Sequence, residues 1–554
     1  MLDQFDPHDI QDLAGARQAI GHLLNLVEEL VAENRALRAE NQRLRDENNR
    51  LQGEQGQPKI KPSKKAPAAS GADHSSEPER RTRKPRHRRA KVAQIPVDRE
   101  VTLPLDRTHL PTDAEFKGYV PVVVQDVRLT TDNVRFLKEK RYSPSQKETY
   151  LAALPAGYAG EFGPGIQALV RVLYHAVNTS EPKIGEFLRH IGVSISAGQV
   201  SNLLVKDQEP FHAEKDAVHQ AGLGSSPWQH IDETGTRVNG VNHHCHVVCN
   251  PLYTAYRTTA TKDRQTVVDV LTNGRPRAYQ LRPESLAWLR EALVSDAVLT
   301  RVRAWPQAQP CDEAQFTQLL DKELSDVSAQ QRRLILDAAR ITAYHQQAEV
   351  PVVRTLLSDD APQFKRVTAD LALCWVHDAR HYKKLAPVVG HHRRLLEQFR
   401  DRYWAFYRQL QAYRQDPAPE HRPRLEAEFD QLFATVTGYA ALDRRIALTR
   451  DKKAALLLVL RHPELPLPTG NNPAEIEMRR RVRKRDVSFG PRTDDGKRAW
   501  DTFATLLATT HKLGISFYQY VYDRVSAAHQ IPNLADLITQ RAAQMDLAAS
   551  WAAT

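Results

Sequence analysis

The sequence predicts an α/β core interrupted twice by helical insertions and preceded by an N-terminal coiled coil and small accessory modules. Three observations lead there. Short apolar runs at 228–234, 352–358 and 371–375 read as strands and are separated by long helical stretches. An unbroken seven-residue leucine repeat opens the chain. At 554 residues the chain is also too long for one core and should divide into several domains.

Residues 1–15 read as a tail and lack the basic-then-apolar pattern of a secretion signal. Over 16–52, Leu23, Leu30, Leu37, Leu44 and Leu51 recur every seven residues, with Ile20, Val27, Asn34, Asn41 and Asn48 at the alternate core positions. Leucine at d with asparagine at several a positions sets register and strand number in a parallel two-stranded coiled coil, at some cost in stability. The segment predicts a homodimer or higher oligomer. A single amphipathic helix packed on the body is the competing arrangement.

Residues 53–92 are rich in Pro, Ser, Ala, Gly and cations and cannot bury a core. Arg80, Arg81, Arg83, Lys84, Arg86, Arg88 and Arg89 cluster there. The functional reading is a flexible arm on DNA phosphates, and the bland one is a solubilising linker. A net charge of +11 suits a polyanionic partner, though charge alone names none.

Residues 93–150 look strand-rich, notably at 120–124 and 127–131. Helices resume in 151–222, where 184–191 and 195–205 flank the Gly192-Val193-Ser194 turn in the layout of a helix-turn-helix. The core then arrives in three parts, 223–280, 348–385 and 466–525. Helical inserts at 281–347 and 386–465 separate them, and C-terminal helices occupy 526–554. Within the first part, 243–249 and 253–259 form a hairpin around Asn250-Pro251.

Three acids carry the chemistry. Asp232 lies in a strand-like run, Asp359 closes another, and Glu475 opens a basic helix after Asn471-Asn472-Pro473-Ala474. Carboxylates so placed can converge on two divalent cations about 3.5–4 Å apart and activate water or a 3′-hydroxyl for attack on a phosphodiester. Each has a rival. Glu233 points to the other strand face from Asp232, Asp360 adjoins Asp359, and Glu477 follows Glu475. Glu475 also fits a capping box with Asn472 as N-cap and Pro473 at the first helical position. The continuation favours DNA: Arg479, Arg480, Arg481, Arg483, Lys484 and Arg485 are six cations in seven residues, suited to a helix laid along phosphates. Cys374 and His377 are three apart, but no second half of a zinc site is evident, so a packed Cys with a hydrogen-bonded His is expected. His243-His244-Cys245-His246 reads as hairpin surface.

These residues resemble the transposases of the insertion sequence 66 family. The resemblance rests on His230-Ile231-Asp232-Glu233-Thr234-Gly235, Ser358-Asp359-Asp360-Ala361-Pro362, Cys374-Trp375-Val376-His377 and Asn471-Asn472-Pro473-Ala474-Glu475 followed by arginines. It implies an RNase H-like catalytic core with an Asp-Asp-Glu triad. Asp232, Asp359 and Glu475 would then hold two Mg²⁺ (or Mn²⁺) ions and catalyse end cleavage and strand transfer. The implied partners are DNA, as terminal inverted repeats and target, and accessory proteins of the same element. The chain departs from that family's pattern in having no cysteine over 93–145, so zinc is not expected there, and in carrying Gly470 and Ile476 within the third signature.

Other classes are excluded or held in reserve. No apolar run approaches the roughly 20 residues of a membrane span, and four cysteines fit a reducing cytoplasm, where a DNA partner would make the protein nucleoid-associated. Gly-rich phosphate loops and serine elbows are missing. The alternatives are a non-catalytic dimeric DNA-binding regulator and an RNase H-like nuclease without strand transfer.

Overall fold

The computed structural model describes residues 12–51 and 95–551, apart from 107, 109, 112, 159, 306–308 and 467–471. The expected basic arm, with Arg80, Arg81, Arg83, Lys84, Arg86, Arg88 and Arg89, lies outside these described residues. The leucine repeat is one continuous helix, α1 (Leu13–Leu51). Its heptad side chains, from Ile20 and Leu23 to Leu44 and Leu51, are exposed. A different stripe of α1 docks on the body. Asn25 donates to the Gly438 carbonyl (2.9 Å) and accepts from the Ala440 amide (3.0 Å). Glu28 accepts from the Val388 and Val389 amides (3.1 and 2.9 Å).

The region expected to be strand-rich differs. Residues 120–124 and 127–131 form no strand, and Val120, Val122, Val124, Val127 and Leu129 are exposed. Among the described residues only a short antiparallel hairpin forms there, β1 (Lys140–Ser143) with β2 (Glu148–Leu151). Alternating β-branched residues make a strand only where a neighbouring edge and an apolar face receive them, and this stretch has neither.

Four helices follow: α2 (Pro164–His175), α3 (Glu181–His190), α4 (Ala197–Val205) and α5 (Glu209–Gly224). Gly192 takes φ +86° in the turn between α3 and α4, and Ser196 caps α4 by accepting from the Gln199 amide. Val170, Ile184, Leu188, Val200 and Leu204 form a small core closed by Trp500.

The central sheet has five strands: β3 (Trp228–Val238), β4 (Val241–Cys249), β5 (Thr254–Thr259), β6 (Thr355–Ser358) and β7 (Asp370–Leu373). Their order is β5-β4-β3-β6-β7. The first three form an antiparallel meander, and β6 and β7 run parallel to β3. A parallel neighbour needs a long crossover. Here it comprises α6 (Arg264–Leu271), α7 (Pro283–Glu291), α8 (Asp296–Arg303), α9 (Glu313–Glu323) and α10 (Ala329–Gln346). This first insert has its own core around Tyr279, Leu289, Phe316 and Ile335.

The second insert packs around aromatic rings, among them Trp375, Tyr403, Tyr407 and Phe429. They come from α11 (Trp375–Lys384), α12 (Gly390–Gln415) and α13 (Arg422–Phe433); α14 (Ala440–Arg450) completes the block. The chain returns to the sheet with α15 (Asn472–Ser488) and α16 (Asp494–Lys512), and ends with α17 (Phe517–Val525) and α18 (Leu534–Ala542). Among the described residues no helix is long and apolar enough to cross a membrane.

Strand alternation sorts the sheet's two faces. Ile231 and Val248 join the main core with Leu356 and Phe503. Cys245, Val247, Cys249 and Tyr256 pack instead against Ala474 and Met478 of α15 and Ala508 of α16.

Candidate active site

Asp232 is the fifth residue of β3, inside the strand and not at its end. It pairs across β4 with Val247, so its side chain shares the face covered by the first turns of α15. Asp359 follows the last residue of β6. The parallel register sets His230 beside Leu357, and two residues further along brings Asp359 level with Asp232. Glu475 sits in the first turn of α15. Three distant segments thus deliver their acids to one place because two adjacent parallel strands and one covering helix carry them.

Electrostatics report the convergence. Burial, with the charges of Asp359 and Glu475 nearby, pushes the Asp232 carboxyl up to about 7 even though the Glu233 amide donates to it (2.8 Å). Asp359 accepts from the Ala361 amide (3.0 Å). Glu475 is clamped. His377 Nε2 lies 2.8 Å from its Oε1, and Arg380 reaches both oxygens at 3.0 and 3.2 Å. Burial alone would raise the Glu475 carboxyl, but the His377 and Arg380 contacts outweigh it and hold the group below the ordinary glutamate range. Burial would likewise lower the His377 imidazole, yet Cys374 and Glu475 beside it push it up to about 10.

The competing acids are occupied elsewhere. Asp360 is paired with Lys365 (2.8 Å) and Lys452 (2.5 Å). Glu477 is buried, accepts from the Tyr256 hydroxyl (2.9 Å) and pairs with Arg480 (3.4 Å). Glu233, on the far face, pairs with Lys262 (2.7 Å) and faces His246. The bonds of the Asn472 side chain, on which the capping-box alternative depends, lie outside the described residues.

Three carboxylates are hard oxygen donors, the set that Mg²⁺ or Mn²⁺ takes, and a half-buried aspartate with no cation at ion-pair distance among the described residues favours one. The donor chemistry fits. Among the described residues, however, no three His, Cys, Asp or Glu side chains are already gathered at one ion's position. Glu475 instead gives its oxygens to His377 and Arg380.

Two expectations need correction. The six cations of α15 do not form one DNA-facing surface. Arg481 is buried against Asp501 (3.1 Å) and Thr258, and Lys484 is buried beneath Tyr174, while Arg485 bonds the Gly235 carbonyl. Arg479 and Arg483 stay exposed, and Arg480 is partly so. The run is one cation short of continuous, but a helix turns 100° per residue, so it cannot present one face. The hairpin surface expected at 243–246 is also half interior, because Cys245 and His246 are fully buried.

Cys374 is buried and His377 is hydrogen-bonded; what the sequence did not show is that the partner of His377 is the third acid. Arg380 was missed altogether. The i, i+3 spacing of His377 and Arg380 on α11 is the one sequence signal that would have joined them.

The chain is 33% identical over 323 residues to the uncharacterized protein y4jO of Sinorhizobium fredii (strain NBRC 101917 / NGR234), a match covering 58% of this chain and 99% of that one. No family model and no solved structure match it. With that identity along essentially the whole relative, the chain belongs to the y4jO family.

Proposed function

We propose that this protein is a DNA transposase of the insertion sequence 66 type, with an RNase H-like core, that cleaves element ends and joins them to target DNA by metal-dependent phosphoryl transfer. The observation that carries the reading is the half-buried Asp232 carboxyl, pushed up to about 7 beside Asp359 and Glu475 on adjacent elements. Burying acids together is unfavourable unless a cation offsets them. Asp232, Asp359 and Glu475 would hold two Mg²⁺ or Mn²⁺ ions, which when bound supply an activated oxygen nucleophile and stabilise the leaving oxygen.

The chain's own residues do the positioning. β3 and β6 fix two carboxylates at one level of the sheet. His377 and Arg380 keep Glu475 ionised and turned toward α11, so the third acid is charged at neutral pH and must rotate away from that clamp to join the others. Arg479 and Arg483 offer exposed cations on the same helix for a DNA backbone.

A strand-transfer assay tests this reading, using pre-cleaved ends of the DNA element that carries the reading frame, Mg²⁺ and a plasmid target. The wild type should yield joined product. Asp232→Asn should bind the ends yet lose joining by on the order of a thousandfold, as removal of a charge-stabilising group does. Cleavage without joining would indicate a nuclease. Unchanged DNA binding by wild type and variant, with neither reaction detectable, would indicate a regulator.

A further inference from the structure

The reverse side of α15 borders a cavity of about 330 Å³ whose lining includes His175, Arg480, Arg481, Arg483, Lys484 and Trp500. Its cations are unequally compensated. Arg480 has Glu477 and Arg481 has Asp501. Lys484 is only 7% exposed, and its ammonium donates to the Tyr174 carbonyl (2.6 Å) and sits 3.1 Å from the centre of the Tyr174 ring. Among the described residues no carboxylate lies within ion-pair distance of Lys484 or of Arg483, which stands exposed. Burying an ammonium without a counter-charge is costly, and a carbonyl and an aromatic face only partly replace water.

His175 lines the same cavity, stacked on Phe503 with ring centres 4.5 Å apart. It is 9% exposed and its Nε2 has no partner. Burial and the neighbouring cations hold this imidazole well below its ordinary range, so it is neutral and can donate one N–H. A buried unpaired ammonium, an exposed unpaired guanidinium and an orphaned imidazole nitrogen around one void describe a receptor missing its anion.

We infer that this cavity binds a phosphate ester, with Lys484 and Arg483 supplying the charge and His175 a hydrogen bond. Lys484 lies nine residues beyond Glu475, about 14 Å along the helix axis, so the site is separate from the acids. The phosphate could belong to a DNA strand or to a free nucleotide. The inference stands whether or not the acids bind metal.

The full-length protein and its Lys484→Met, Arg483→Ala and Asp232→Asn variants can be titrated with inorganic phosphate, dAMP and a fluorescent single-stranded 12-mer at constant ionic strength. Thermal unfolding and oligonucleotide anisotropy are the readouts. Phosphate and dAMP should raise the unfolding temperature of wild type and Asp232→Asn alike. The response should vanish in Lys484→Met and weaken at least tenfold in Arg483→Ala, whose exposed position leaves folding untouched. If the 12-mer is displaced by phosphate and binds Lys484→Met at least tenfold more weakly, the ligand is strand phosphate. If only dAMP and phosphate lose affinity, it is a free nucleotide. Equal responses in wild type and Arg483→Ala and Lys484→Met, or no response in wild type, would overturn the inference.

Discussion

Lys484 shows most plainly how a residue's setting outweighs its type. In the sequence it is one of six adjacent cations; in the fold its ammonium lies under Tyr174 and Trp500. Burial pushes its pKa down from the ordinary lysine range to about 7. The consequence for stability has a definite sign. Between about 7 and the unfolded value near 10.5, the unfolded chain holds a proton that the folded chain has released, so stability rises with pH across that window and is lost as pH falls from about 10.5 to about 7. Lys484→Met should therefore be more stable than wild type below pH 7, with a ceiling of roughly 5 kcal/mol, and the difference should shrink to about 1 kcal/mol by pH 10. Urea unfolding at pH 6 and pH 10 checks this. Equal stabilities at pH 6 would mean that the ammonium is already compensated. The burial was legible in principle, because Ala474, Glu477, Met478, Arg481 and Lys484 recur at helical spacing and mark one stripe of α15. The crowd of arginines between them hid that stripe.

At the scale of elements, the strand bearing Asp232, the strand that ends just before Asp359 and the start of α15 were readable from apolar runs and from the Asn-Asn-Pro punctuation. The hairpin at Asn250-Pro251 was readable too, with Cys249 paired to Thr254 across its turn. The strands expected at 120–131 were not realised, since periodicity alone does not show whether a partner edge exists. The clamp of His377 and Arg380 on Glu475 was equally hidden, because nearly a hundred residues of helical insert separate them. What seats α15 is a contact no pattern reveals. Gly490, at φ +106°, lies so close to Arg237 that a Cβ would stand 2.4 Å from its carbonyl oxygen, and Asn239 donates to the Pro491 carbonyl. Gly490→Ala should cost roughly 2–3 kcal/mol in urea unfolding and shift α15 against β3. A loss below about 0.5 kcal/mol would show that this loop is not fixed as described. Helix α1 gives the complementary case, since its leucine seam is exposed while Asn25 and Glu28 anchor another stripe. Leu30→Glu with Leu37→Glu should leave the unfolding temperature of the body unchanged and reduce the mass by light scattering to the 62.8 kDa of one chain. A wild type that is already monomeric would assign the seam to another partner.

Across the whole molecule, the two helical inserts do more than decorate the sheet. The first closes the crossover that lets β6 lie parallel to β3, and so sets Asp359 level with Asp232. The second carries His377 and Arg380 to the third acid and receives the anchor of α1. A chain so arranged ties the N-terminal helix, sheet and acids together, although its acids come from segments far apart in sequence. The claim on which this rests is that Asp232, Asp359 and Glu475 act as one cation site. Electron paramagnetic resonance of Mn²⁺ titrated into the wild type, the three single variants Asp232→Asn, Asp359→Asn and Glu475→Gln, and the triple variant tests it without any knowledge of the DNA sequence. The wild type should remove about two Mn²⁺ per chain from the free signal, each single variant should lose at least one, and the triple variant both. A triple variant that binds as many ions as tightly as the wild type would contradict the account.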